Sequence, residues 1–196
     1  MQMKLLEDRI RAEGRAMDER VLLVDSFLNH QVDTELMLEI GREFKRLFAD
    51  SGITRIVTVE SSGIAPAAMT ALEMGLPLVI MKKYPSPRNQ EGTLETEVFS
   101  FTKNSPYMLT IKTKYITPGD RILLIDDFLA NGEAAFGCIR LVEEAGAQIA
   151  GIGTVICKSF QPGKKKLEEA GYRVEALADV AYMAKDVIRY VGEAET

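Results

Sequence analysis

One stretch limits what this chain can be more than any other: the aliphatic run Ile122-Leu123-Leu124-Ile125, followed at once by Asp126-Asp127. Successive aliphatics without polar alternation predict a strand buried on both faces, the condition of a strand inside a parallel sheet. The strand delivers paired carboxylates at its carboxyl end. A turn with one glycine follows, and a helical pattern opens near Glu133. Open α/β sheets bind ligands outside the carboxyl ends of their strands. The first turn of a helix offers free backbone N–H groups, and the helix dipole favours an anion there. The stretch therefore brings acceptors for hydroxyls or a metal next to a cradle for phosphate. A sugar phosphate needs both.

The remaining chain carries the same alternation. Asp33 reads as an N-cap for a helix with Leu36, Ile40, Phe44, Leu47 and Phe48 on one face, closed by Gly52. Ile53–Glu60 is β-branched and predicts the first core strand, Ile64–Met74 a helix ended by Gly75, and Leu78–Met81 the next strand. After the central strand and a helix stopped by Gly146, Ile149–Cys157 and Tyr172–Leu177 predict two more strands, with a short helix between them. Strands alternating with helices predict a five-stranded parallel sheet flanked by helices. Met1–Arg15 has the spacing of a short surface helix, Val21–Asn29 that of a strand or extended edge, and the C-terminal tail is weakly patterned. These parts stand outside the alternation and can cap the ligand edge of the sheet. The segment at about 84–112 interrupts the pattern with Pro85, Pro87, Gly92 and Pro106. It predicts a hairpin insertion of the lid type.

A chain of 196 residues is enough for one such domain. A net charge of −5 argues against a nucleic-acid surface, and the basic run Lys164-Lys165-Lys166 reads as a solvated helix face. Cys138 and Cys157 show no metal or redox spacing and suit a reducing cytosol. No secretory signal pattern and no apolar run of membrane-spanning length is present, so the expected location is cytoplasmic, without a membrane partner.

The stretch around Asp126-Asp127 resembles the ribose-phosphate signature of the type I phosphoribosyltransferases. The resemblance implies that Asp126 and Asp127 serve the ribose hydroxyls of phosphoribosyl pyrophosphate, and that Ala130, Asn131, Gly132, Glu133 and Ala134 wrap its 5′-phosphate. The loop departs from the common family pattern, because hydroxyl donors are missing and Glu133 sits beside the anion. Glu60-Ser61-Ser62-Gly63, between a strand and a helix, resembles the family's pyrophosphate loop, although no basic residue stands in it. Lys82 or Lys83 resembles the lysine that reaches pyrophosphate, and Lys103, in Ser100-Phe101-Thr102-Lys103, the tip of the family's flexible loop.

Val21–Gln31 and Lys158–Gly163 resemble segments of the branch of this family that acts on xanthine. That likeness implies that Leu22 packs on the base while Asn29 and Lys158 hydrogen-bond its edge. The family further implies Mg²⁺ held mainly by the donor, with no direct protein ligands, a homodimer, and a hood formed by residues of about 1–35 and the C-terminal tail. The expected reaction is transfer of phosphoribose to N9 of a purine. The alternatives are a relative acting on guanine, hypoxanthine or adenine, a non-catalytic sensor of the donor, and a response-regulator-like Mg²⁺ domain. The basic content before Ile53 is too low for the DNA-binding segment a sensor usually carries, and no phosphoacceptor aspartate at another strand end supports the last.

Overall fold

The computed structural model describes residues 3–100 and 104–193. In chain order these form α1 (Lys4–Glu13), β1 (Arg15–Ala16), β2 (Leu22–Leu23), a π-helical turn (Asp25–Asn29), α2 (Thr34–Leu47), β3 (Arg55–Val59), α3 (Ile64–Met74) and β4 (Leu78–Tyr84). The hairpin strands β5 (Thr93–Ser100) and β6 (Ser105–Lys112) follow, then a 3₁₀ turn (Thr113–Tyr115), β7 (Arg121–Leu129), α4 (Glu133–Glu144), β8 (Gln148–Lys158), α5 (Gly163–Glu169), β9 (Val174–Ala184) and β10 (Val187–Tyr190).

The main sheet has the order β10-β9-β8-β7-β3-β4-β6-β5. Strands β9, β8, β7, β3 and β4 are mutually parallel, which is the five-stranded core read from the sequence. Alternation along β7 feeds both faces. Leu123 and Ile125 enter one apolar cluster with α2 and α3, while Ile122 and Leu124 enter the other with α4 and α5. The Phe44 and Phe48 rings of α2 lie so close over β8 that a Cβ at Gly153 or Gly151 would come within 2.6 and 2.4 Å of them. Asp33 caps α2 by accepting from Glu35 N at 3.1 Å and Leu36 N at 3.0 Å.

Four readings change. The strand expected over Val21–Asn29 is confined to Leu22–Leu23, and the chain then coils into the π-turn, because Phe27 and Leu28 are both buried and an extended chain would turn one of them outward. Helix α2 ends at Leu47 with Phe48 as its C-cap, and Gly52 takes its positive φ of 62° in the connection beyond. The insertion is the expected hairpin, and it also extends the main sheet. Its strand β6 pairs antiparallel with β4 at Lys82–Tyr84, and Val98, Leu109 and Ile111 are buried. Finally, the last core strand runs on to Ala184, and β10 folds back on it with a bulge at Arg189/Tyr190 that breaks the alternation. The N-terminal segment packs against these strands: Met3 N donates to Leu177 O at 2.7 Å, and Asp186 N to Ala16 O at 2.9 Å.

The start of β7 is locked to β3 by Asp120. Its buried carboxylate accepts from Thr117 N and Oγ1 (both 2.8 Å), Thr54 Oγ1 (2.8 Å) and Arg55 Nε (3.0 Å). Burial alone would raise its pKa, but these donors outweigh it and hold the group at about 2, against an ordinary 3.8. A depressed carboxylate adds stability above its unfolded pKa, and that stability is lost as pH falls through the folded pKa. Asp120→Asn should therefore cost about 2 kcal/mol at neutral pH. In denaturant titrations the deficit should fade between about pH 4 and pH 2. A deficit that stays constant over that range would show that the charge is not what locks the strands.

Candidate active site at the carboxyl ends of the parallel strands

Pairing between β3 and β7 stops at Val57↔Leu124, whereas β7 stays paired with β8 as far as Leu129↔Cys157. Asp126 and Asp127 thus sit within β7, beyond its last pair with β3. They lie where the sheet's connections diverge, the crevice that open α/β sheets use for ligands. Both carboxylates are part-buried and line a cavity of about 750 Å³. Asp126 accepts from Asp127 N at 2.9 Å. Burial, and then the negative charge of Asp127, raise the Asp126 pKa well above the ordinary value, and Lys83 opposes them. The same cavity holds Tyr107, whose hydroxyl is pushed up to about 12 by burial and so remains a donor at neutral pH.

Ala130, Asn131, Gly132, Glu133 and Ala134 all line this cavity. Gly132 is the N-cap of α4, with φ 86°, a conformation that disfavours any side chain. From there α4 presents the N–H groups of its first turn. Against the back of the turn lies Gly163, whose N donates to Ala130 O at 2.9 Å. A Cβ on Gly163 would stand 2.3 Å from Ala130 O and 2.7 Å from Gly132 N.

Of the Glu60–Gly63 loop, Ser62 lines the cavity, while Glu60, Ser61 and Gly63 do not. The Glu60–Ser61 peptide is cis. Gly63 caps α3 at a point where a Cβ would meet Thr58 Oγ1 at 2.5 Å and Asp126 Oδ1 at 2.9 Å. Glu60 accepts from Lys82 Nζ at 2.9 Å and from Lys83 N at 2.7 Å. Alternation along β4 therefore separates the lysines. Lys83 enters the main cavity, its ammonium 5.3 Å from the Tyr107 ring centre, and Lys82 faces a smaller cavity of about 210 Å³. Lys103 lies outside the described residues; Phe99 and Ser100, just before that gap, line the main cavity.

At the other end stand Leu22 and Lys158. Lys158 donates to Arg20 O, and its ammonium lies 5.2 Å from the Phe128 ring centre. Burial lowers its pKa from 10.5, opposed by Asp18. Asn29 ends the π-turn, is exposed and does not line the cavity. Sequence reasoning gave no role to Phe128, Arg20 and Tyr107, and within Lys158–Gly163 it gave one to Lys158 alone and none to Gln161 or Gly163. Phe128 had a signal, its place directly after the acid pair. The others come from elements that only folding brings together.

The family model "Phosphoribosyl transferase domain" matches residues 33–184. The chain is 57% identical to a xanthine phosphoribosyltransferase of Exiguobacterium sp., over 96% of this chain and 98% of that protein. It is also 57% identical to xanthine phosphoribosyltransferase 1 of Clostridium botulinum, over 96% of this chain and 100% of the other. Among solved structures, adenine phosphoribosyltransferase of Giardia lamblia complexed with 9-deazaadenine superposes with a TM-score of 0.74 at 20% identity, over 90% of this chain and 97% of that one. That likeness bears on the fold alone.

Gly163→Ala tests the contact between the two loops. Overpacking of this kind costs about 1–3 kcal/mol, which in a chain of this size lowers Tm by roughly 3–10 °C. Calorimetry reads the shift. An unchanged Tm would mean that the loops are not held together.

Proposed function

The chain belongs to the phosphoribosyltransferase family, and on that premise we propose that it transfers the 5-phosphoribosyl group of phosphoribosyl pyrophosphate to N9 of xanthine, forming xanthosine 5′-monophosphate and pyrophosphate. The observation that carries this reading is one cavity lined along its length by the acid pair, the Gly132 turn and a buried lysine. In it, the Asp126 and Asp127 carboxylates accept the ribose hydroxyls, and the amides of residues 130–134 hold the 5′-phosphate. Ser62 and Lys83 face the pyrophosphate. Residues of about 1–35 with the C-terminal strands form the hood.

The C1′–pyrophosphate bond breaks as the C1′–N9 bond forms, and positive charge develops on the ribose. The nearby carboxylates tolerate that charge, and Lys83 stabilises the departing pyrophosphate. Lys158 can only donate, so it suits a 6-oxo group and not a 6-amino group. Donation to O6 also favours loss of the base proton. Phe128, beside Lys158, offers a ring face on which the purine stacks together with Leu22.

Mg²⁺ fits this donor set as a companion of the donor. Among the described residues no group of three or more His, Cys, Asp or Glu is gathered, and a Mg²⁺ that keeps waters and substrate phosphates needs no such cage. When bound, it supplies charge stabilisation at the leaving pyrophosphate. The reading includes a homodimer working in the cytoplasm; no helix among the described residues is long and apolar enough to cross a membrane.

Incubation of the protein with donor, Mg²⁺ and each of four purine bases tests the reading. Mononucleotide should form best from xanthine, and no product from any base would refute it. Asp126→Asn and Asp127→Asn should each weaken donor use, since each removes charge-assisted hydrogen bonds of roughly 1.5–3 kcal/mol. Lys158→Ala should lower kcat/KM on all 6-oxopurines.

The pH profile should be narrow on both sides. The raised pKa of Asp126 moves the acid limb above the ordinary carboxylate range, and the lowered pKa of Lys158 brings the alkaline limb below 10.5. An acid limb left unmoved by Asp126→Asn, or an alkaline limb left unmoved by Lys158→Ala, would contradict the assignment of that limb.

A further inference from the structure

The six residues Lys158–Gly163 do two jobs in the proposed reading: they bring Lys158 and Gln161 to the base end of the cavity, and they press Gly163 against the phosphate turn. Their backbone has few internal ties. Gln161 N donates to Lys158 O at 2.8 Å, Ser159 N to Val180 O at 2.9 Å and Gly163 N to Ala130 O at 2.9 Å. Lys158 itself ends β8, in register with Val180 of β9, but the residues after it leave the sheet, and the course they take from there needs a further anchor.

Asp179 is in the right position to be that anchor. It lies on β9 opposite Cys157 of β8 and is 5% exposed. Oδ1 accepts from Ser159 Oγ, the residue after Lys158, and Oδ2 accepts from Lys164 Nζ at 2.5 Å, the residue after Gly163. One carboxylate thus grips both ends of the segment. Ser159 Oγ also lies 3.5 Å from Cys157 Sγ. Burial would lower the Lys164 pKa, but the bond to Asp179 outweighs it and the pKa is raised, so Lys164 keeps its charge at neutral pH.

We infer that Asp179 is a positioning residue for base recognition, acting through Ser159 and Lys164 to hold the Lys158 ammonium where a purine 6-oxo group binds. The inference rests on the proposed assignment of Lys158 to the base. The carboxylate does not line the cavity, so its effect reaches the base only through the segment it clamps. Because a purine held by few polar contacts is sensitive to their placement, a shift of the segment weakens base binding more than it slows bond breaking at C1′.

The test is a double-mutant cycle on the transferase reaction. Asp179→Asn keeps the shape but loses the charge that pairs with Lys164. It should raise KM for xanthine about tenfold while kcat and KM for the donor change by less than about threefold. In the Lys158→Ala background the same change should have no further effect on KM for xanthine, because the group it positions is gone. Ser159→Ala, which leaves the ion pair in place, should shift KM in the same direction by less, and supplies the cycle if Asp179→Asn does not fold. Additive effects in the cycle, or an equal loss in kcat and in donor KM, would overturn the inference while leaving the proposed function standing. A native protein without transferase activity would overturn the proposed function and, with it, this inference.

Discussion

Strand β7 is paired on both sides only as far as Leu124; beyond that it keeps β8 and loses β3. Everything at the site depends on that unequal pairing. The aliphatic half of the strand is buried on both faces and anchors the sheet. The acidic half continues in the same extended conformation, so its carboxylates are held by a rigid element and not by a loop. Where β3 has ended, its chain turns through residues 60–63 into α3, and Gly63 packs directly on Asp126. The cavity therefore opens where β3 and β7 part, and core residues such as Leu124 and Ile152 line it.

Several polar groups in and beside the cavity are partnered by the chain itself. Lys158 donates a hydrogen bond to the Arg20 carbonyl, Asp126 accepts one from the Asp127 amide, and Glu60 accepts from both Lys82 and the Lys83 amide. Buried polar atoms require such partners. The partner chosen for Lys158 is chemically close to the ligand proposed for it, a carbonyl oxygen in both cases. Binding of a base carbonyl would thus exchange one oxygen acceptor for another at the Lys158 ammonium. Thr58 Oγ1, by contrast, is buried without a hydrogen-bond partner beside the Gly63 contact.

The core was legible because its signals are local. An unbroken aliphatic run, helical spacing closed by a capping aspartate at Asp33, and a glycine before Glu133 each report on backbone within a few residues. The hairpin was legible as a hairpin, but its pairing to β4 was not, because antiparallel addition to a sheet edge leaves no mark on either strand alone. The π-turn at Asp25–Asn29 escaped for a similar reason: VLLVDSFLN carries extended-strand chemistry, and burial of adjacent Phe27 and Leu28 against α2 decides otherwise.

For the site, the sequence by itself determined which groups stand at the end of the central strand: two carboxylates, a turn that only glycine favours, and the start of a helix. Those follow from residue type and order, since a strand and the turn after it are contiguous. Only the tertiary structure decided which other groups meet them. It sent Lys83 into the cavity and Lys82 to Glu60 by strand alternation, and it set Lys158 over Phe128 by parallel pairing of β7 with β8. It also pressed Gly163 into the back of the Gly132 turn. Each of these contacts joins residues far apart in the chain, and the register of the sheet, which sums the packing of both its faces, is the quantity that sets them.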